Sequence, residues 1–181
     1  MKLRRLLSGE TVRLNALTKD DIERMLGWEE HSDFKRLGSS NPAAPWTQGR
    51  TEKWLEELDE SSDEYYFAIR AVRDSVLVGV ISIDEIEWTH GTAQLGIGIG
   101  EARDWGKGYG KEACRLALDF AFHELNLHRI GLGVFAYNDR AIKLYESLGF
   151  TREGVERESI YRDGERFDQY LYGLLRSDWS A

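Results

Sequence analysis

Residues 104–113 read DWGKGYGKEA and place Gly106, Gly108 and Gly110 within five positions. A β-rich run, TAQLGIGIG (92–100), stands just before them, and an amphipathic run stands just after. Glycine inside a helix or strand costs about 0.5–1 kcal/mol against alanine, so the cluster predicts a tight turn between two elements. The next segment, KEACRLALDFAFHEL, sets Ala113, Leu116, Ala117, Phe120 and Ala121 on one helical stripe. A strand, a bare turn and a helix in that order point to a chain that mixes α and β.

The rest of the chain extends this pattern. TVRLNAL (11–17) reads as a short strand, and TKDDIERMLGWEE as a helix with Thr18 as N-cap and acids in its first turn. A second helix is expected from Thr51 to Leu58, with Trp54, Leu55 and Leu58 at helical spacing. EYYFAIRAV, VLVGVISI and TAQLGIGIG then read as an antiparallel meander. After the glycine turn and its helix, HRIGLGVFAY reads as a strand. NDRAIKLYESLGF reads as a helix with Asn138 as N-cap and Gly149 just past its end. Residues 150–176 read as two strands around the turn RDGER. Both prolines, Pro42 and Pro45, fall in the loop SSNPAAPWTQG (39–49), and no linker divides the chain. One α/β (α+β) domain over 1–181 is expected, with a mixed, mostly antiparallel sheet of about seven strands and helices on both faces.

Composition narrows the function classes. A net charge of −8 argues against general nucleic-acid binding, which calls for a basic face. The single cysteine, Cys114, excludes an intrachain disulfide and agrees with a reducing compartment. No apolar run approaches ~20 residues, so neither a membrane span nor a signal peptide is expected, and the protein reads as cytoplasmic.

The glycine turn carries the chemistry. Bare backbone N–H groups at a helix start can face a phosphate, and the helix dipole favours the anion. Lys107 and Lys111 add positive charge. The P-loop pattern fails, because Trp105 and Glu112 stand where glycine and Ser or Thr are required. The dinucleotide pattern G-x-G-x-x-G fails on spacing. A third pattern, [Q/R]-x-x-G-x-[G/A] opening a helix, matches WGKGYG at Gly108 and Gly110. The alternative is a tight turn with no ligand.

The stretch WGKGYGKEACRLALDFAFHELNLHRIGLGVFAYNDRAIKLYESLGF resembles the GNAT superfamily of acyl-coenzyme-A-dependent N-acetyltransferases. In particular it looks like the branch that contains the ribosomal-protein N-terminal acetyltransferases and the spermidine acetyltransferases. YGLLRSDW near the end also looks like this branch, and the element order agrees from about Thr11 to Leu175. The resemblance implies acetyl-CoA as donor and an amine as acceptor. It implies acceptor-side helices over about 18–60 and an acetyl-CoA core over about 91–150. It also implies a sheet that splays between its fourth and fifth strands, with the pantetheine arm lying there like an added strand. Backbone groups of Ile97, Gly98 and Ile99 would then meet its amides. Trp105, Gly106, Lys107, Gly108, Tyr109, Gly110 and Lys111 would cradle the pyrophosphate, the helix starting right after Gly110.

Two positions depart from the family. Trp105 replaces the Gln or Arg at the head of the loop, and Arg103 begins a second match two residues earlier. Gln94 stands where many relatives carry Glu, and a glutamine is no general base. Asn138 matches the family asparagine that contacts the cofactor, and Tyr145 matches the tyrosine that protonates the leaving thiolate. Read alone, the first would be an N-cap and the second a core aromatic.

The acceptor must attack as its free base. A lysine-like amine with pKa ≈ 10.4 is neutral in about one molecule in 2,500 at pH 7, a handicap of roughly 4.6 kcal/mol; an α-amine near 8 faces only about 1.4 kcal/mol. Candidate bases are Asp84, Glu85 and Glu87 at the end of the third strand and His90 in the following turn, with a water chain as the alternative. Trp28, Trp46 and Trp88 are candidate walls for a small-molecule or peptide amine. His123 and His128 lack the spacing and partners of a metal site, and none is expected. A non-catalytic CoA-binding module on the same fold is the competing reading, and a homodimer is expected from the frequency of two-fold oligomers.

Overall fold

The computed structural model describes residues 6–180; the basic start at 1–5 lies outside them. The elements run β1 (Val12–Asn15), α1 (Ile22–Glu29), α2 (Ser32–Gly38), α3 (Gln48–Glu60), β2 (Tyr65–Ala71), β3 (Leu77–Glu87) and β4 (Thr92–Ile99). They continue as α4 (Tyr109–Asp119), β5 (Arg129–Phe135), α5 (Asp139–Ser147), β6 (Thr151–Arg162) and β7 (Glu165–Leu175). One seven-stranded sheet forms in the order β1-β2-β3-β4-β5-β7-β6. Every neighbouring pair is antiparallel except β4 and β5. Among the described residues, no helix is long and apolar enough to cross a membrane.

The period-2 alternation of β3 and β4 sorts their side chains between two layers. Ile81, Ile83, Leu95, Ile97 and Ile99 join the main core with Ala113, Ala117, Phe122 and Leu148 beneath α4 and α5. On the opposite face Trp28, Ala68 and Leu77 form a smaller cluster with Met25 and Phe34. The glycines of LGIGIG belong to that second face. A Cβ at Gly98 would lie 2.8 Å from the Phe34 ring, and one at Gly100 would lie 2.0 Å from the Trp28 ring. The missing side chains therefore make room for two aromatic rings of α1 and α2.

α2 was not foreseen from the sequence. It is a seven-residue helix with no buried residue and no side-chain cap at His31, so no amphipathic stripe marks it. Its position is fixed from outside. Tyr137 Oη donates to the Arg36 carbonyl (2.6 Å), Asn138 Nδ2 to the Leu37 carbonyl (3.2 Å) and Arg162 to the Ser39 carbonyl (2.8 Å). Carbonyls of a last helical turn lack intrahelical partners, and these three donors supply them. At the head of α1, the Asp21 carboxylate accepts from the Thr18 amide (2.9 Å) and from Arg70 (2.8 Å), so Thr18 opens the turn as expected.

Glu112, in the first turn of α4, ties the helix to the edge of the sheet. Its carboxylate accepts from the amides of Glu10, Thr11 and Val12 and from the Thr11 hydroxyl, at 2.6–2.8 Å. Burial alone would raise its pKa, but these hydrogen bonds outweigh burial and hold it below the ordinary 4.5. A depressed carboxylate contributes stability above its unfolded pKa and loses it as pH falls through the folded one. Glu112→Ala is therefore expected to lower stability by about 1–3 kcal/mol at neutral pH. In denaturant titrations the gap from wild type should close as pH falls below 4.5; a gap that does not depend on pH would refute the ionic account. Gly100→Ala is expected to cost about 1–3 kcal/mol by overpacking Trp28, as measured by thermal unfolding.

Candidate active site

The parallel pair β4 and β5 is registered only at Thr92↔Arg129, Ala93↔Ile130 and Gln94↔Gly131. Beyond Gln94 the strands part, while β4 stays paired to β3 through Ile99. The Gly98 carbonyl lies against Gly79 of β3. Alternation along the ladder then turns the backbone groups of Ile97 and Ile99 toward the free edge. The Gly98 backbone therefore faces β3 and not the free edge, and Phe34 covers its face, so of the three expected strand residues Ile97 and Ile99 alone present backbone groups to the gap. The gap opens into a cavity of about 990 Å³ that runs from the start of α4, past the parting strands, to the loop before α3.

The glycine turn forms one end of this cavity. Gly106 and Gly108 have φ of 74° and 84°, which L side chains rarely adopt, and Gly108 is the N-cap of α4. The helix thus starts at Tyr109, two residues earlier than expected, because the left-handed glycine is 108 and Gly110 sits inside the first turn. The Glu112 amide makes the first intrahelical bond, to the Gly108 carbonyl (3.1 Å), so the amides of Tyr109, Gly110 and Lys111 precede the ladder. Trp105, Gly106, Gly108, Tyr109, Gly110 and Lys111 all line the cavity.

Lys107 and Arg103 do not. Lys107 Nζ pairs with the buried Asp104 carboxylate at 2.8 Å, and Arg103 turns onto Glu101 at 2.7 Å. Trp105 donates from its indole to the Ile99 carbonyl (3.0 Å), which pins the loop to the end of β4. The cation beside it comes from α5: the Arg140 guanidinium lies 3.6 Å from the Trp105 ring centroid and lines the cavity. Sequence reading missed Arg140, although it stands two residues after Asn138 in the same first turn. A set of uncapped amides, two cations and an unpaired strand edge suits an elongated polyanion with an amide-bearing arm.

Tyr145 lines the middle of the cavity and is otherwise buried, packed edge-on against Phe150 at 5.8 Å. Burial pushes its pKa above the ordinary 10.0, with Cys114 a lesser influence, so the phenol stays protonated. The Cys114 thiol is fully buried and pushed up to about 12 by burial, which leaves it inert. Asn138 borders the cavity, but its side chain is engaged: Oδ1 accepts from the Ala141 amide (3.2 Å) and Nδ2 holds the Leu37 carbonyl.

At the far end, Trp46 stands edge-on to Trp54, and Trp54 edge-on to Tyr66. Trp28 forms floor there. Trp88 does not join them; it is half-exposed and donates to the Ser62 carbonyl at 3.2 Å. Of the four base candidates Asp84 alone reaches the cavity, whereas Glu85, Glu87 and His90 are exposed outside it. Glu29 also faces this end, in an ion pair with Lys35 at 3.0 Å.

Comparison with known proteins agrees with this geometry. The family described as "Acetyltransferase (GNAT) domain" matches residues 11–151. The chain is 34% identical over 179 residues to "Probable N-acetyltransferase YjcK" of Bacillus subtilis, covering 96% of this chain and 98% of that one. It is 31% identical over 140 residues to a spermidine N(1)-acetyltransferase of Vibrio cholerae, covering 70% and 80%. The crystal structure of spermidine N-acetyltransferase from Vibrio cholerae, in complex with CoA and spermine, superposes with a TM-score of 0.85 at 26% identity, over 93% of this chain and 97% of that one. The chain therefore belongs to the GNAT acetyltransferase family and is an N-acetyltransferase that uses acetyl-CoA as acetyl donor.

Proposed function

We propose that the acceptor is a primary amine of a small molecule or a protein N-terminus, that it attacks the acetyl group directly, and that Tyr145 protonates the departing thiolate. The observation that carries this reading is one continuous cavity joining the first turn of α4, the free edge of β4, Tyr145 and the aromatic end. The pyrophosphate would rest on the amides of Tyr109, Gly110 and Lys111, within reach of the Lys111 and Arg140 side chains. Ile97 and Ile99 would pair with the pantetheine arm along the free strand edge. Trp105 holds the loop closed onto β4 and gives Arg140 a flat surface to rest on. Asn138 supports α2 over the cavity; its amide keeps a second hydrogen and a second lone pair for the donor.

Tyr145→Phe removes only the phenolic hydroxyl and keeps the ring that packs on Phe150. Turnover is expected to fall by about 10²- to 10⁴-fold, while acetyl-CoA still raises the melting temperature as in wild type. Because burial raises this pKa, no loss of kcat from tyrosine ionisation is expected up to the ordinary value of 10.0. The assay is release of free thiol with a panel of polyamines, amino acids, aminoglycosides and N-terminal peptides. Full activity of the variant on a turned-over acceptor would refute the assignment.

The cation assignment is separable from the chemistry. Lys111→Ala and Arg140→Ala are each expected to weaken CoA binding by about tenfold in calorimetry, which corresponds to about 1.4 kcal/mol. Arg103→Ala should leave it unchanged, since that side chain points onto Glu101. An equal loss from all three would mean that general surface charge, not the site, sets affinity.

A further inference from the structure

We infer that Asp84 is the base that takes the proton of the incoming amine, standing one strand away from the carboxylate that Gln94 does not provide. This rests on the reaction proposed above and supplies the step that it lacks.

Asp84 on β3 lies directly opposite Gln94 on β4. Gln94 is also the last β4 residue paired to β5, so Asp84 stands at the point where the two strands part. Paired residues across an antiparallel ladder share a face. That face looks toward α1 and α2, on the acceptor side of the sheet. The Gln94 side chain lies over Gly131, where a Cβ would come within 2.9 Å of its Oε1, and Gln94 does not line the cavity. Asp84 does.

Three local features hold the carboxylate there. Ser82, two residues earlier on the same face, donates from Oγ to Asp84 Oδ2 at 2.6 Å. The strand register then shifts between Asp84 and Glu87, and Glu85 takes a φ of 51°. This is a bulge that re-aims the residue before it, a device common beside active sites. Across the ladder Gly96 keeps the approach open: a Cβ there would lie 2.6 Å from Ser82 Oγ and 3.7 Å from Asp84 Oδ2. Among the described residues, no lysine or arginine forms an ion pair with Asp84.

The groups that bear on its titration are Tyr66 and Glu64 on the β2 side, Ser82 and Glu85 on its own strand, and Gln94 from β4. Burial is the largest influence and raises the pKa above 3.8; Glu85 and Glu64 act in the same direction, against the Ser82 and Tyr66 hydrogen bonds. Both make the carboxylate a stronger base than an exposed aspartate.

The protons balance as follows. Asp84 accepts one proton from the bound ammonium, breaking an N–H bond and freeing the lone pair that forms the C–N bond to the acetyl carbon. As the C–S bond breaks, Tyr145 gives its proton to sulfur. The second proton lost by nitrogen restores the tyrosine, and Asp84 releases the first to solvent. The products are the acetamide, CoA thiol and one proton.

Asp84→Asn keeps the shape and an acceptor for Ser82. With acetyl-CoA and amine both saturating, it is expected to lower kcat near neutral pH by about 10²- to 10⁴-fold for an alkylamine. The loss should be smaller for a peptide α-amine, whose pKa is about 8 rather than about 10.4. The residual rate should climb about tenfold per pH unit toward the pKa of the amine. Asp84→Glu, which keeps a carboxylate at this position, should retain more activity than Asp84→Asn and the flat wild-type profile. A loss of the same factor for both amines at every pH, equal in Asp84→Asn and Asp84→Glu, would show a structural role and overturn the inference. A carbon-13 NMR titration of the carboxyl resonance that vanishes in Asp84→Asn needs no acceptor. A pKa above 3.8 is expected, and one at or below it would overturn the inference. Failure of wild type to acetylate any amine would count instead against the acceptor class proposed above.

Discussion

Everything in the site depends on two parallel strands that stay together for three registered pairs and then separate. A buried strand edge with unpaired amides and carbonyls is costly unless something pairs with it. Here the exposed edge of β4 faces a cavity instead of a neighbouring strand, and one of its carbonyls, that of Ile99, is already taken by the Trp105 indole. The sheet leaves one ladder unfinished, and an extended ligand with amide groups is the natural completion. The same separation opens the space that Tyr145 and the aromatic end both line.

The roof over that space is held as firmly as its floor. α2 buries none of its own residues, yet three donors from the β5–α5 connection and β6 seize its last carbonyls. Arg36 adds an ion pair to Asp163 in the β6–β7 turn. The helices α1 and α2 and the distant hairpin thus form one frame around the cavity. Asn138 serves that frame and the head of α5 together.

Long periodic segments were legible from sequence because burial imposes their period. The meander, α4, α5 and the terminal hairpin all follow from alternation or helical stripes, and the glycine turn was located from composition alone. α2 was not legible, since a helix held from outside by hydrogen bonds has no stripe to read. The glycines at 96, 98 and 100 leave room that the structure fills with Ser82, Phe34 and Trp28. Lys107 resembled a phosphate cation, but Asp104 three residues earlier claims it. Arg140 was missed, and Asp84 was not separated from Glu85, Glu87 and His90, for one reason: each acquires its meaning from a residue distant in sequence, Trp105 in one case and Gln94 in the other. Spacing along a chain reports neighbours within an element and says little about which strand faces which.

The seating of Trp28 and Phe34 on bare backbone has a consequence for the way such enzymes diversify. The helices α1 and α2 cannot be exchanged as a free-standing cassette. A segment carrying these two rings fits only a fourth strand that lacks side chains beneath them, and a strand with alanine or valine at those places admits only smaller residues in the helices above. The two helices and the strand beneath them therefore vary as a matched set, and a graft that moves one without the other would lift the roof off the sheet.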